Sequence, residues 1–140
     1  MTVDIALTRN IDACHALRRR VFIEEQNVSE AEEIDGLDDN AMHFMATVDG
    51  VPMGTARIMI KGTTAKIGRV CVLREQRGTG LGAAIMRAAL EVCKSQGTVN
   101  KAVLGSQLHA LKFYERLGFE AFGPIYLDAE IEHRDMKIAV

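Results

Sequence analysis

The stretch from Val70 to Gly82 constrains this chain more than any other. Val70-Cys71-Val72-Leu73 is an apolar, β-branched run of the kind that forms a buried strand. Arg74-Glu75-Gln76-Arg77 follows as a charged turn, and Gly78, Gly80 and Gly82 then occupy alternate positions. Beyond them Ala83-Ala84-Ile85-Met86 has strong helix propensity. Strand, glycine-rich turn and helix start together make an anion site. The first amides of a helix lack internal partners, and the helix dipole adds partial positive charge there. Glycines let a ligand approach the main chain closely, and Arg77 adds a forked cationic donor. On glycine count alone, a turn that binds nothing is an equal reading. The spacing excludes two named alternatives. No Lys follows as a P-loop requires, and Gly-x-Gly-x-Gly is not the dinucleotide fingerprint Gly-x-Gly-x-x-Gly.

Arg77-Gly78-Thr79-Gly80-Leu81-Gly82 fits Arg/Gln-x-x-Gly-x-Gly/Ala, which resembles the coenzyme A pyrophosphate loop of the GNAT N-acetyltransferases. Upstream, Arg69-Val70-Cys71-Val72 resembles that family's fourth strand. Downstream, Gln107 to Glu120 resembles its late helix and the strand after it, where the family often reads Asn-x-x-Ala-x-x-x-Tyr-x-x-x-Gly-Phe. Only Gln107, in place of Asn, departs from that pattern. The helical segment around Arg18, Val21, Phe22, Glu25, Gln26 and Val28 resembles the bacterial ElaA-like and YjcF-like branch.

Composition adds bounds rather than identity. A chain of 140 residues is long enough for one core, so a single domain over residues 1–140 is expected. With 48% hydrophobic and 26% charged residues it reads as ordinary globular protein. A net charge of −2 gives no reason to expect nucleic acid or an anionic membrane as partner. No apolar run reaches membrane-spanning length, and no basic n-region opens the sequence. Cys14, Cys71 and Cys93 are widely spaced, which suits reduced thiols in a cytoplasmic protein. The four histidines show no metal-ligand spacing, so no metal is expected.

Along the chain, Val3–Leu7 reads as a strand. Asn10 caps a helix carrying Ile11, Cys14, Leu17, Val21 and Phe22 at helical spacing to about Gln26. Arg18, Arg19 and Arg20 read as a solvated face, or alternatively as a phosphate-holding cluster. Residues 27–40 lack periodicity and carry six carboxylates between Glu30 and Asp39 without a cation. They read as a solvated acidic loop, or as carboxylates lining an amine-binding cleft. Two strand-like runs flank Asp49-Gly50, a strong hairpin signal, and a third runs from Ala65 to Leu73. A helix over 81–96, a short strand at 102–104, a helix over 107–117 and two closing strands complete the order β-α-β-β-β-α-β-α-β-β. This is an α/β chain with a mixed sheet. The resemblance implies the GNAT acyl-CoA N-acyltransferase fold, with the fourth and fifth strands splayed apart.

The resemblance also implies chemistry. It places acetyl-CoA as donor, with its pantetheine arm paired to Val70-Cys71-Val72 and its diphosphate on residues 77–82. Gln107, Ala110 and Phe113 are further cofactor-binding residues by this resemblance, and Tyr114 is the acid that protonates departing sulfur. A main-chain amide near Val72 supplies the oxyanion donor. Read without its motif, Tyr114 is a core aromatic beside Phe113. Some members place a glutamate base where Lys66 stands here, so Glu24 and Glu25 late in the first helix come next, with Glu25 the candidate base or a surface carboxylate, and His43 and His109 as further options. A covalent role for the Cys71 thiol is the lesser reading, because a thiol on a buried strand is usually inert. The expected acceptor is a small primary amine, favoured as cationic by the acidic loop. A protein lysine or N-terminus, a phosphorylated sugar, and a non-catalytic acyl-CoA-binding module are the alternatives. A homodimer through the terminal strands is implied by resemblance only.

Overall fold

The computed structural model describes Met1–Val140. Its elements follow from local signals. Strand β1 is Val3–Thr8. Helix α1, Ile11–Arg18, starts where the Asn10 side chain accepts a hydrogen bond from the Ala13 amide at 3.2 Å. It continues without a break as a π-helical turn over Arg19–Glu25, so the expected helix is present with its last two turns widened. Residues 27–40 are not a plain loop: Ser29 caps the one-turn helix α2, Glu30–Glu33, and a 3-10 turn spans Asp38–Asn40. Strands β2 (Met42–Val48) and β3 (Val51–Lys61) meet at Asp49-Gly50, both with positive φ, 51° and 81°. That is the backbone of the primed hairpin turn the Asp-Gly pair favours. Strand β4 is Thr64–Val72, helix α3 is Leu81–Ser95, and strand β5 is Lys101–Gln107. A 3-10 turn over Leu108–Ala110 leads into helix α4, Leu111–Arg116. Gln107 therefore ends a strand rather than opening a helix. Strand β6 runs Glu120–Asp128 and pairs with β7, Ile131–Ala139.

One seven-stranded sheet has the order β1-β2-β3-β4-β5-β7-β6. All neighbours are antiparallel except β4 and β5, which run parallel. Their pairing covers only Thr64–Lys66 against Lys101–Val103. Beyond these rungs the two strands part, as the resemblance implied. A bulge in β4 sits at the same place. Thr55 faces Cys71 and Arg57 faces Gly68, which leaves Arg69 and Val70 against the single Ala56, with Arg69 at φ 51°.

The core lies between the sheet and α3. Ile58 and Ile67 from the sheet pack with Ile85, Met86, Ala89 and Cys93 of α3, and with Phe119 and Met136. Close packing here depends on Gly54, where a Cβ would stand 2.7 Å from Ile85 Cδ1. On the other face, Leu17 and Val21 of the first helix cover Cys71 and Leu73.

Candidate active site

The glycine-rich turn divides into two roles. Gly78 and Gly80 have φ of 80° and 89°, and a Cβ at either would meet nothing within 4 Å. Their backbone needs glycine, and the space beside it is open to a ligand. Gly82 differs. A Cβ there would stand 3.4 Å from Phe113 Cζ and 3.7 Å from Val72 Cγ2, so this glycine lets α3 approach Phe113 and β4. Thr79 Oγ1 donates to the Gln76 carbonyl at 2.6 Å, which ties the turn to itself. No side chain caps α3, and its first internal bond into the turn is Ala84 N–H to Gly80 O at 3.1 Å. The amides of Leu81, Gly82 and Ala83 are thus the unpartnered donors of a helix start.

Arg77 connects this turn to two other elements. Its Nε donates to the Val72 carbonyl at 3.0 Å, and a terminal nitrogen pairs with Glu25 Oε1 at 2.7 Å. Glu25 therefore faces the cofactor turn, and its carboxylate is not among the side chains lining the cleft described next. In this arrangement it is a partner for Arg77, in a pair that is partly exposed.

Where β4 and β5 part, a cleft of about 480 Å³ opens, within the range of small-molecule sites. Tyr114, Gln107 and Ala110 line it from the β5–α4 side, Val70 and Lys66 from β4, and Phe22 and Gln26 from the first helix. Tyr114 packs edge-on against Phe113 at 4.9 Å and Phe119 at 5.9 Å. Burial, with Cys71 nearby, pushes its hydroxyl up to about 12, so it holds its proton at any ordinary pH. Burial also lifts the Cys71 thiol to about 12. That removes the thiolate a covalent route would need. Gln107 Nε2 donates to Gln26 Oε1 at 2.8 Å, and its own Oε1 lies 2.7 Å from His109 Nε2. His43 is buried, 2.9 Å from the Asp38 carbonyl, and stands apart from this cleft.

The acidic segment is divided. Glu30, Glu32 and Asp39 are exposed, as a solvated loop would have them, whereas three arginines hold Glu33, Asp35 and Asp38. Arg18, expected at the surface, is 1% exposed and donates to both Glu33 carboxylate oxygens at 2.8 and 2.7 Å, and to Asp38 Oδ1 at 2.8 Å. Arg57 bonds Asp35 at 3.0 and 2.9 Å and Asp38 at 3.1 Å. Arg69, turned by the β4 bulge, reaches Glu33 Oε2 at 3.0 Å and Asp35 Oδ2 at 3.2 Å. Burial pushes the Asp38 carboxyl up, but the bonds from Arg18, His15 and Arg57 outweigh it and hold it far below the usual range. The Arg57 bonds likewise depress Asp35. Arg18 lies four residues after Cys14 in the inward stripe, and that position was its one sequence signal. Arg19 and Arg20 are exposed, as expected.

Two further cleft residues carried no sequence signal beyond membership of closing strands. Tyr126 of β6 donates to Asp135 Oδ1 at 2.8 Å, and its ring stacks on His133 of β7 at 5.9 Å. Both line the cleft opposite the first helix.

With this geometry in view, the comparisons are specific. Residues 10–140 match the family model of the acetyltransferase (GNAT) domain. The Bacillus subtilis protein YyaT is 37% identical over 132 residues, covering 91% of this chain and 88% of that one. The B. subtilis N-acetyltransferase YjcF is 36% identical, covering 86% of each. The crystal structure of Escherichia coli ElaA superposes with a TM-score of 0.85 at 27% identity, covering 97% of this chain and 99% of that one. The chain belongs to the GNAT acetyltransferase family.

Proposed function

We propose that this protein moves the acetyl group of acetyl-CoA onto the primary amine of a small acceptor by direct attack. The observation that carries this reading is the position and protonation of Tyr114, a proton-holding hydroxyl on the wall of the cleft where β4 and β5 separate. The cofactor diphosphate sits on the amides of Leu81, Gly82 and Ala83 and in the open space at Gly78 and Gly80, beside Arg77 and Thr79. The pantetheine arm lies along Val70, Cys71 and Val72, whose edge facing β5 is unpaired beyond Lys66. Gln107, Ala110 and Phe113 border its thiol end. The acceptor amine attacks the thioester carbonyl, a main-chain amide near Val72 stabilises the oxyanion, and Tyr114 protonates the departing sulfur.

With Glu33, Asp35 and Asp38 committed to arginines, the carboxylates that favour a cationic acceptor are Glu32 and Asp128, which line the cleft without an arginine partner. The second reading, a module that binds acyl-CoA without turnover, is favoured by Lys66 standing in the cleft where relatives can carry a glutamate base. Calorimetric titration with acetyl-CoA, joined to thiol release on a panel of polyamines, amino sugars and amino-acid amides, separates the two. Binding with turnover on at least one amine supports the transferase. Tight binding with no thiol release on any of them supports the module.

A further inference from the structure

The proposed transfer needs a group to take a proton from the acceptor. Of the candidates read from the sequence, Glu25 is paired with Arg77, His43 is buried against the Asp38 main chain, and His109 lines the cleft from an exposed turn with its Nε2 on the Gln107 side-chain oxygen. Glu33 and Asp35, which also line the cleft, are bonded by Arg18, Arg57 and Arg69.

His133 is differently placed. Its Nδ1 lies 2.7 Å from the Ile131 carbonyl oxygen. A carbonyl only accepts, so Nδ1 carries the hydrogen. In the neutral ring the Nε2 lone pair is then free, and no protein donor reaches it. The ring plane is fixed by stacking on Tyr126, 23° from parallel. Tyr126 is fixed in turn by its bond to Asp135 and by the glycine at 105, where a Cβ would stand 2.3 Å from the Tyr126 hydroxyl. Across the sheet His133 pairs with Gln107, the last residue of β5 before the turn that leads to Tyr114. Both His133 and Tyr114 line the one cleft. A held imidazole with a free acceptor nitrogen and a tyrosine with a retained proton are complementary halves of one acid–base pair.

We propose that His133 Nε2 is the general base of the transfer, with Tyr114 as the acid. This rests on the acetyltransferase reading given above. His133 takes one proton from the acceptor ammonium, and the freed nitrogen lone pair forms the C–N bond at the thioester carbonyl. The carbonyl π pair moves to oxygen. When it returns, the C–S bond breaks, and sulfur leaves with its electron pair and takes the Tyr114 proton. The nitrogen gives its second proton to the Tyr114 phenolate, and the imidazolium returns its proton to solvent. The products are the amide, coenzyme A thiol and one released proton.

The test follows thiol release from acetyl-CoA with whichever amine of the panel the wild type turns over fastest, across pH. The groups that share His133's surroundings and could titrate with it are Tyr126 and Asp128 of β6, Asp135 of β7 and His109 of the turn before α4. His109→Ala, at the other histidine lining the cleft, is therefore measured alongside. His133→Ala and His133→Gln are expected to lower kcat/KM for the amine roughly 10²–10³-fold near neutral pH. They should also remove the acid limb of the pH profile, leave acetyl-CoA affinity within about twofold, and regain part of the rate with added imidazole. An unchanged rate or a surviving acid limb in both His133 variants overturns the assignment, as does an equal loss in His109→Ala. Nitrogen-15 NMR of the wild type is an independent arm: a hydrogen on Nδ1 supports the assignment, and one on Nε2 overturns it. Wild type that releases no thiol with any amine overturns the transferase reading itself, and the base with it.

Discussion

Arg18 and Glu33 form a two-pronged ion pair at 2.8 and 2.7 Å between the first helix and the acidic segment, with side chains only 1% and 3% exposed. Asp38, Asp35, Arg57 and Arg69 extend this pair into a network of three arginines and three carboxylates against the cleft. A buried pair is costly to break, because removing one partner leaves the other charge in a dry site. Arg18→Met is therefore expected to lower stability by about 3–5 kcal/mol, read from urea unfolding at neutral pH. A loss under 1 kcal/mol would contradict the network's structural role.

The same network sets the acid limit of the fold. Asp35 and Asp38 both titrate below their unfolded value of about 3.9. A depressed carboxyl contributes stability that is fully present above the unfolded pKa and is lost as pH falls toward the folded one. Urea midpoints are thus expected to hold level, as far as these two groups go, from neutral down to about pH 5, and to fall below about pH 4. Asp38→Asn should start lower and fall less steeply. A wild-type midpoint unchanged at pH 3 would refute the assignment.

Gly80 combines a left-handed backbone with open space beside it. Gly80→Glu is expected to fold with a strain cost of about 1–2 kcal/mol. It should lose coenzyme A affinity by about a hundredfold or more, because a carboxylate then stands where the diphosphate is held. Calorimetry measures this directly, and unaltered affinity would remove the anion-site assignment from the turn.

Tyr114→Phe should lower turnover about 10²-fold while coenzyme A affinity changes little. Because the wild-type hydroxyl is raised to about 12, its proton stays in place through pH 10, and no alkaline limb from this group should appear below that. A variant as fast as wild type would make Tyr114 a packing residue only.

Glu25→Gln separates the two roles of that carboxylate. The pair with Arg77 is partly exposed, so its loss should cost at most about 1 kcal/mol of stability. Freed from its partner, Arg77 is available to the diphosphate, and coenzyme A affinity is expected to rise a few-fold with turnover nearly unchanged. A hundredfold fall in turnover at constant affinity would return Glu25 to the position of base.

What the sequence by itself determined was local. The Asp49-Gly50 turn, the Asn10 cap, the glycines before α3 and the apolar stripe of that helix depend on residues a few positions apart, where backbone geometry and helix or strand periodicity leave little choice. The family pattern added the parting of β4 and β5. Only the tertiary structure decided the rest, because each contact joins residues that no periodicity relates. Arg18 meets Asp38 twenty positions on, Glu25 finds Arg77 fifty-two away, and the edge strand brings Tyr126 onto His133. A charged side chain reads as solvated until its counter-charge is located. That location is set by long-range packing, which drew Glu33, Asp35 and Asp38 out of an acidic loop into an arginine network and left His133 as a held ring with a free nitrogen in the cleft.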